Sequence, residues 1–148
     1  MESEDVFFEI KGGGDFIRVI TQKFSYKNSD NSWDRRWITA EVTIKAGAFS
    51  GRYGAQFMNV DFSAFKKKLE YLYDHLDSSA HFEDIESYLK IRIKGDGLGH
   101  LEVLCEATDN PGYLENKLSF YIITDQTYIP QVIRQLERIN REFPSFND

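Results

Sequence analysis

Apolar and polar residues alternate with period two through most of the chain up to Met58, and two later stretches switch to a spacing of three to four. The first period predicts strands with one buried face, the second amphipathic helices. Val6, Phe8 and Ile10 share one side of the first strand, and Lys11-Gly12-Gly13-Gly14-Asp15 predicts the turn of a hairpin whose return strand occupies Phe16 to Tyr26. A loop rich in Asn, Ser and Asp follows from Lys27 to Asp34. From Trp37 to Lys45 the alternation is cleanest, with Ile38, Ala40, Val42 and Ile44 on one side and Thr39, Glu41, Thr43 and Lys45 on the other. That is the signature of a sheet with one wet face. Phe49 to Met58 continues it, placing Phe49, Tyr53, Ala55 and Phe57 together, with Gly47, Gly51 and Gly54 marking bulges or bends.

The spacing of Phe62, Phe65, Leu69, Leu72 and Leu76 predicts a helix with Lys66, Lys67, Lys68, Glu70 and Asp74 facing water. Asp61 is the expected N-cap and Val60 the expected staple onto Phe65. A polar connection leads to a second hairpin. Its strands carry Leu89, Ile91 and Ile93, then Leu101, Val103 and Cys105, and Gly95-Asp96-Gly97-Leu98-Gly99 turns the chain between them. Lys90, Arg92 and Lys94 are expected across from Glu102 and Glu106 on the wet side. Leu118, Phe120 and Ile122 predict the last strand, and Ile129, Val132, Ile133, Leu136, Ile139 and Phe143 the last helix, with Pro130 in its first turn and Pro144 at its end.

These elements predict an α+β fold: a largely antiparallel, twisted sheet with two amphipathic helices packed on one face, in a single domain spanning residues 1–148. At 148 residues the chain is long enough to bury a core without disulfides. With 41% hydrophobic and 28% charged residues it is neither disordered nor fibrous. Cys105 is the only cysteine, the start Met1-Glu2-Ser3-Glu4-Asp5 is acidic, and no run approaches the ~20 apolar residues of a membrane span. A cytoplasmic location is the expectation, with no membrane partner.

Candidate chemistry is sparse. The glycines of Gly95 to Gly99 are followed by a strand, whereas a phosphate cradle needs a helix there, so they predict a turn. His75, His81 and His100 match no metal-ligand spacing, and Cys105 lies on the apolar phase of its strand as a small core residue. No metal or other cofactor is expected. A net charge of -6 with no broad basic stripe argues against nucleic acid as a partner. Glu41, Glu102 and Glu106 project on the wet phase of their strands, where a solvated salt-bridge ladder explains them better than paired acid–base catalysis. Trp33, beside Asp34, Arg35 and Arg36, is either an interface anchor or a lid on one end of the core.

Several stretches together resemble the WapI-type immunity proteins and related small bacterial proteins. They are Asp34-Arg35-Arg36-Trp37 leading into Ala40-Glu41-Val42, Gly47-Ala48-Phe49-Ser50-Gly51-Arg52-Tyr53, Gly95 to Val103, Asn116 to Phe120, and Asp125-Gln126-Thr127-Tyr128-Ile129-Pro130. The similarity runs from about Asp34 to Pro144 and contains no catalytic signature. It implies a non-enzymatic antitoxin whose partner is the nuclease domain at the C-terminus of a cognate polymorphic toxin. For such a role the candidate partner-binding residues are Trp33, Glu41, Asp96, Glu102, Glu106 and Asp109. The alternative is a small-ligand-binding module with a Phe- and Tyr-lined pocket between sheet and helices.

Overall fold

The computed structural model describes residues 5–144, so the acidic segment before Asp5 lies outside the described residues. Four antiparallel strands, β1 (Val6–Gly12), β2 (Asp15–Phe24), β3 (Trp37–Ala46) and β4 (Phe49–Met58), pair in sequence order and lead into helix α1 (Asn59–Asp74). The second half repeats this plan. Strands β5 (Ser79–Glu83), β6 (Leu89–Gly95), β7 (His100–Thr108) and β8 (Lys117–Asp125) form another antiparallel meander, followed by α2 (Ile129–Glu142). The α+β class, the antiparallel pairing and both amphipathic helices are as the periodicity predicts. The alternation does not reveal that the strands divide between two sheets, because a period of two reports one buried face and not what covers it.

The two sheets bury their inner faces in one continuous hydrophobic cluster, and each helix packs against the first strand of the sheet it does not follow: α1 on β5, α2 on β1. Phe82 stands at the junction. Its ring lies 5.7 Å from Phe8 of β1, 5.4 Å from Phe57 of β4, and 5.7 and 5.6 Å from Phe62 and Phe65 of α1. Edge-on and tilted pairs of this kind add roughly 0.5–1.5 kcal/mol each beyond the area they bury. The strand carrying Phe82 falls in the segment that the pattern reads as a polar connection. Its Ser-Ala-His-Phe-Glu alternation is real but only five residues long.

Two backbone details differ from expectation. Helix α1 begins two residues earlier than Asp61, so Asp61 occupies the third helical position and accepts the Met58 N–H at 2.9 Å. Val60 therefore sits in the first turn, exposed, and does not act as the staple. Phe49 is on the inner phase of β4 but lies past the end of the core at the β3–β4 hairpin tip, 66% exposed. The sheets touch where β1 approaches β8. A Cβ on Gly12 would fall 2.0 Å from the Ile123 carbonyl oxygen, so only glycine admits this approach.

Candidate partner-binding surfaces

The outer face of the β5–β8 sheet follows directly from register. Ser79, Lys94, Glu102 and Ile123 form one cross-strand row, His81, Arg92, Leu104 and Tyr121 the next, and Glu83, Lys90, Glu106 and Ser119 the third. The predicted opposition of Lys94 to Glu102 and of Lys90 to Glu106 is thus present, while Arg92 faces Leu104. Lys90 also lies 3.8 Å from Glu83. Beside this ladder Tyr121 and Ile123 are 59% and 65% exposed. Shallow depressions run the length of the face: about 430 Å³ over His81, Arg92, Leu104 and Glu106, about 310 Å³ between Lys94, Asp96, His100, Glu102 and Ile123, and about 110 Å³ beside Ser87, Lys90 and Glu106.

The outer face of the β1–β4 sheet is built otherwise. Arg18 lies over the rings of Phe7 and Phe16 at 5.6 and 4.9 Å and pairs with Glu9 at 2.5 Å, and Arg52 pairs with Glu41 at 3.1 Å. Phe7, Phe16 and Ile20 are only half-exposed there. Glu41 is therefore held on a different sheet from Glu102 and Glu106. Asp96 and Asp109 lie at opposite ends of β7, and each carboxylate organises its own turn. Asp96 accepts the amides of Leu98 (2.7 Å) and His100 (3.2 Å), and its other oxygen lies 2.7 Å from His100 Nδ1. Asp109 accepts from the Asn116 amide at 2.9 Å and side chain at 3.1 Å. Those backbone bonds first, and the side-chain bonds after them, hold both groups below the ordinary carboxylate value, so both stay ionised. Of the six candidates, the structure brings Asp96, Glu102 and Glu106 together and separates the rest.

Trp33 belongs to a second site. The Lys27–Asp34 loop ends in a single 3₁₀ turn, Asp34–Arg36, in which the Trp33 amide donates to Asn31 Oδ1 at 2.8 Å and Ser29 Oγ donates to Asp34 Oδ2 at 3.2 Å. Tyr26, Trp33, Asp34, Trp37, Gln56, Glu86 and Tyr88 enclose a depression of about 650 Å³. Its far wall is the β5–β6 loop. Buried Asp84 pins that loop by accepting the amides of Tyr88 (3.0 Å) and Leu89 (2.9 Å), and Tyr53 donates its hydroxyl to the Tyr88 carbonyl at 2.7 Å. Sequence reasoning singles out Trp33 but passes over Tyr26, Glu86 and Tyr88. They come from separate loops, and no local pattern joins them.

Burial shifts three further titratable groups. Burial raises Asp84, raises Asp61 to about 6 and pushes the Cys105 thiol up to about 12, in keeping with a core thiol. Among the described residues no three His, Cys, Asp or Glu side chains are grouped to hold a metal ion, and no helix is long and apolar enough to cross a membrane. The space between sheets and helices, where a ligand pocket was the alternative, is filled by Phe8, Phe57, Phe62, Phe65 and Phe82.

Comparison with known proteins adds a family and a fold. The sequence model of the immunity protein WapI-like family matches residues 7–144. A comparison with curated protein sequences gives no match. Among solved structures, the plant transcriptional regulator PBF-2 is similar at 10% identity and a TM-score of 0.53, over 97% of this chain and 84% of that one. WHY1 from Arabidopsis thaliana is similar at 10% identity and a TM-score of 0.52, over 97% and 88%. MRP1/MRP2 of Trypanosoma brucei are similar at 11% identity and a TM-score of 0.50, over 93% and 84%. At such identities the likeness is one of fold alone.

Proposed function

The chain belongs to the immunity protein WapI-like family, and from that premise we propose that it neutralises a toxin domain by binding it, with the outer face of the β5–β8 sheet as the principal surface. The observation that carries this reading is the contrast between the two outer faces. Only the second sheet has, on its outer face, well-exposed apolar side chains, Tyr121 and Ile123 of its edge strand, directly beside the charged residues of its central strands, Glu102 and Glu106 among them, a mixed apolar and charged surface suited to a protein partner. Asp96 extends the acidic edge at the hairpin turn. Glu41 and Asp109 stay outside the proposed face.

A nuclease domain presents a basic surface where its substrate's phosphates bind, and the net charge of -6 on this chain favours encounter with such a surface. Neutralisation then needs no turnover: a bound protein covers the site. Co-expression with the C-terminal toxin domain of a polymorphic toxin encoded beside this gene tests the reading. Growth rescue together with a stable one-to-one complex is the expected result. Continued toxicity and no complex with any neighbouring toxin would remove it.

A further inference from the structure

We infer that the outer edge of β4 and the cleft beside it accept an extended segment of the protein partner as an added strand. That the segment belongs to a toxin rests on the proposed function; the strand-accepting edge rests on geometry alone. Three of the four strands that end the two sheets are covered or crossed. Helix α2 packs on β1 and Gln135 Oε1 accepts the Glu9 N–H at 2.8 Å, α1 packs on β5, and Gly12 closes on β8 at the Ile123 carbonyl. Along β4, among the described residues, no element but β3 bonds the backbone between Phe49 and Gly54. This edge is also unguarded. Its register runs from Trp37 opposite Met58 to Ala46 opposite Phe49 without the shift found between β2 and β3, it holds no proline, and its one charge, Arg52, is engaged by Glu41. Bulges, prolines and free charges are the usual devices that stop an edge from pairing.

Ala46 and Phe49 close a two-residue hairpin, so Phe49, Gly51 and Tyr53 bond to β3 while the N–H and C=O groups of Ser50, Arg52 and Gly54 turn outward. Beside this edge the two sheets part over a cleft of about 290 Å³ lined by Ile44, Phe49, Gly51, Tyr53, Ala107 and Leu118. All six lie on inner phases, yet Phe49 is exposed and Gly51, Tyr53 and Leu118 are half-exposed. The core is left unfinished at this end. Gly51, opposite Ile44, leaves a gap between Phe49 and Tyr53, and a Cβ there would meet nothing within 4 Å. A strand laid against β4 drops alternate side chains over that gap, so the fitting segment carries a large apolar residue at every second position. Lys117 lines both this cleft and the depression beside Lys90 and Glu106, so the cleft adjoins the proposed partner face. A second copy fits less well. Two-fold pairing of β4 with itself about Gly51 or Arg52 sets Arg52 opposite Ser50, in the row of Lys45, or opposite its own copy, cation near cation in either register.

Amide hydrogen exchange and peptide titration, both followed by NMR on the full-length protein, test the inference. In the free protein the amides of Ser50, Arg52 and Gly54 should exchange about tenfold faster than those of Gly51 and Tyr53. Slow exchange there would overturn the inference, a dimer in sedimentation equilibrium then identifying a second copy as the occupant. The probe is an acetylated peptide amide that alternates threonine and leucine between terminal lysines, and its counterpart carries serine in place of leucine. Saturable shifts at the Ser50, Arg52 and Gly54 amides, with a midpoint on the order of 1 mM, are expected with the leucine peptide and none with the serine peptide. Gly51→Leu, which fills the gap, and Gly54→Pro, which removes an outward donor, should each raise that midpoint about fivefold or more at an unchanged melting temperature. No response to the leucine peptide, equal responses to both, or midpoints that Gly51→Leu leaves in place would overturn the inference. In the toxin complex the same three amides should gain about tenfold protection and Gly51→Leu should weaken affinity about tenfold. A complex in which neither changes would overturn the partner half of the inference. If no toxin complex forms at all, the proposed function fails, and the peptide titration still decides the edge.

Discussion

The two halves of the molecule share one plan, a four-stranded meander followed by a helix, yet their outer faces have opposite characters. On the first sheet Arg18 lies between Phe7 and Phe16 and is ion-paired to Glu9, and Glu41 is engaged by Arg52. On the second, the charged ladder leaves Tyr121 and Ile123 open to solvent. Topology therefore does not decide which surface is available. Side-chain choice at the outward positions does, because those positions are free of the packing constraints that make the inner faces alike.

The largest effect tests whether the halves are separate at all. Phe82→Ala removes the ring that joins β1, β4, β5 and α1, and should cost about 3–5 kcal/mol while leaving one cooperative transition in urea. Two separated transitions would show halves that unfold independently. Next, Gly12→Ala forces a methyl against the Ile123 carbonyl where the sheets meet, and about 1–3 kcal/mol of destabilisation is expected. Gly51→Ala, with open space around it and no positive φ, should be neutral or slightly stabilising in the same denaturation assay.

The outer faces are compared by association kinetics with the toxin domain. Glu102→Gln together with Glu106→Gln should slow binding several-fold and flatten its salt dependence, whereas Glu41→Gln should leave both unchanged. A larger effect from Glu41 would reverse the assignment of faces.

A comparison in pH concerns the two helix starts. Burial raises Asp61 at the start of α1 from 3.8 to about 6, so the folded state binds its proton more tightly and Asp61 makes stability fall as pH rises through that window. Asp125, ahead of α2, is lowered because it accepts from the Thr127 hydroxyl and amide. Its contribution is present above the ordinary carboxylate value and lost as pH falls through the lowered one. Denaturation midpoints between pH 3 and 8 should show D61N flattening the decline toward neutral pH and D125N flattening the loss in acid.

Much of this architecture is legible in the chain. The hairpin of β6 and β7, with Lys94 facing Glu102 and Lys90 facing Glu106, follows from alternation around a glycine-rich turn. Helix α2 follows from its stripe, in which Ile129, Val132, Leu136 and Ile139 are all buried. What escapes the pattern is short or assembled from afar. β5 has only two inward residues, Ala80 and Phe82, too few for a period to register. The Trp33 pocket joins residues from the β2–β3 loop and the β5–β6 loop, which share no local spacing.

The fold class and the inward and outward residues of the longer strands and of both helices were legible in the chain, because hydrophobic periodicity is a local property that an element carries once it is long enough for the period to register. It took the packing of the elements to show that the strands form two sheets, that Phe82 is the centre of their junction, and that Asp96, Glu102 and Glu106 share a face while Glu41 does not. Those outcomes depend on which elements meet, and meeting is settled by the summed burial of all inner faces at once rather than by any one segment.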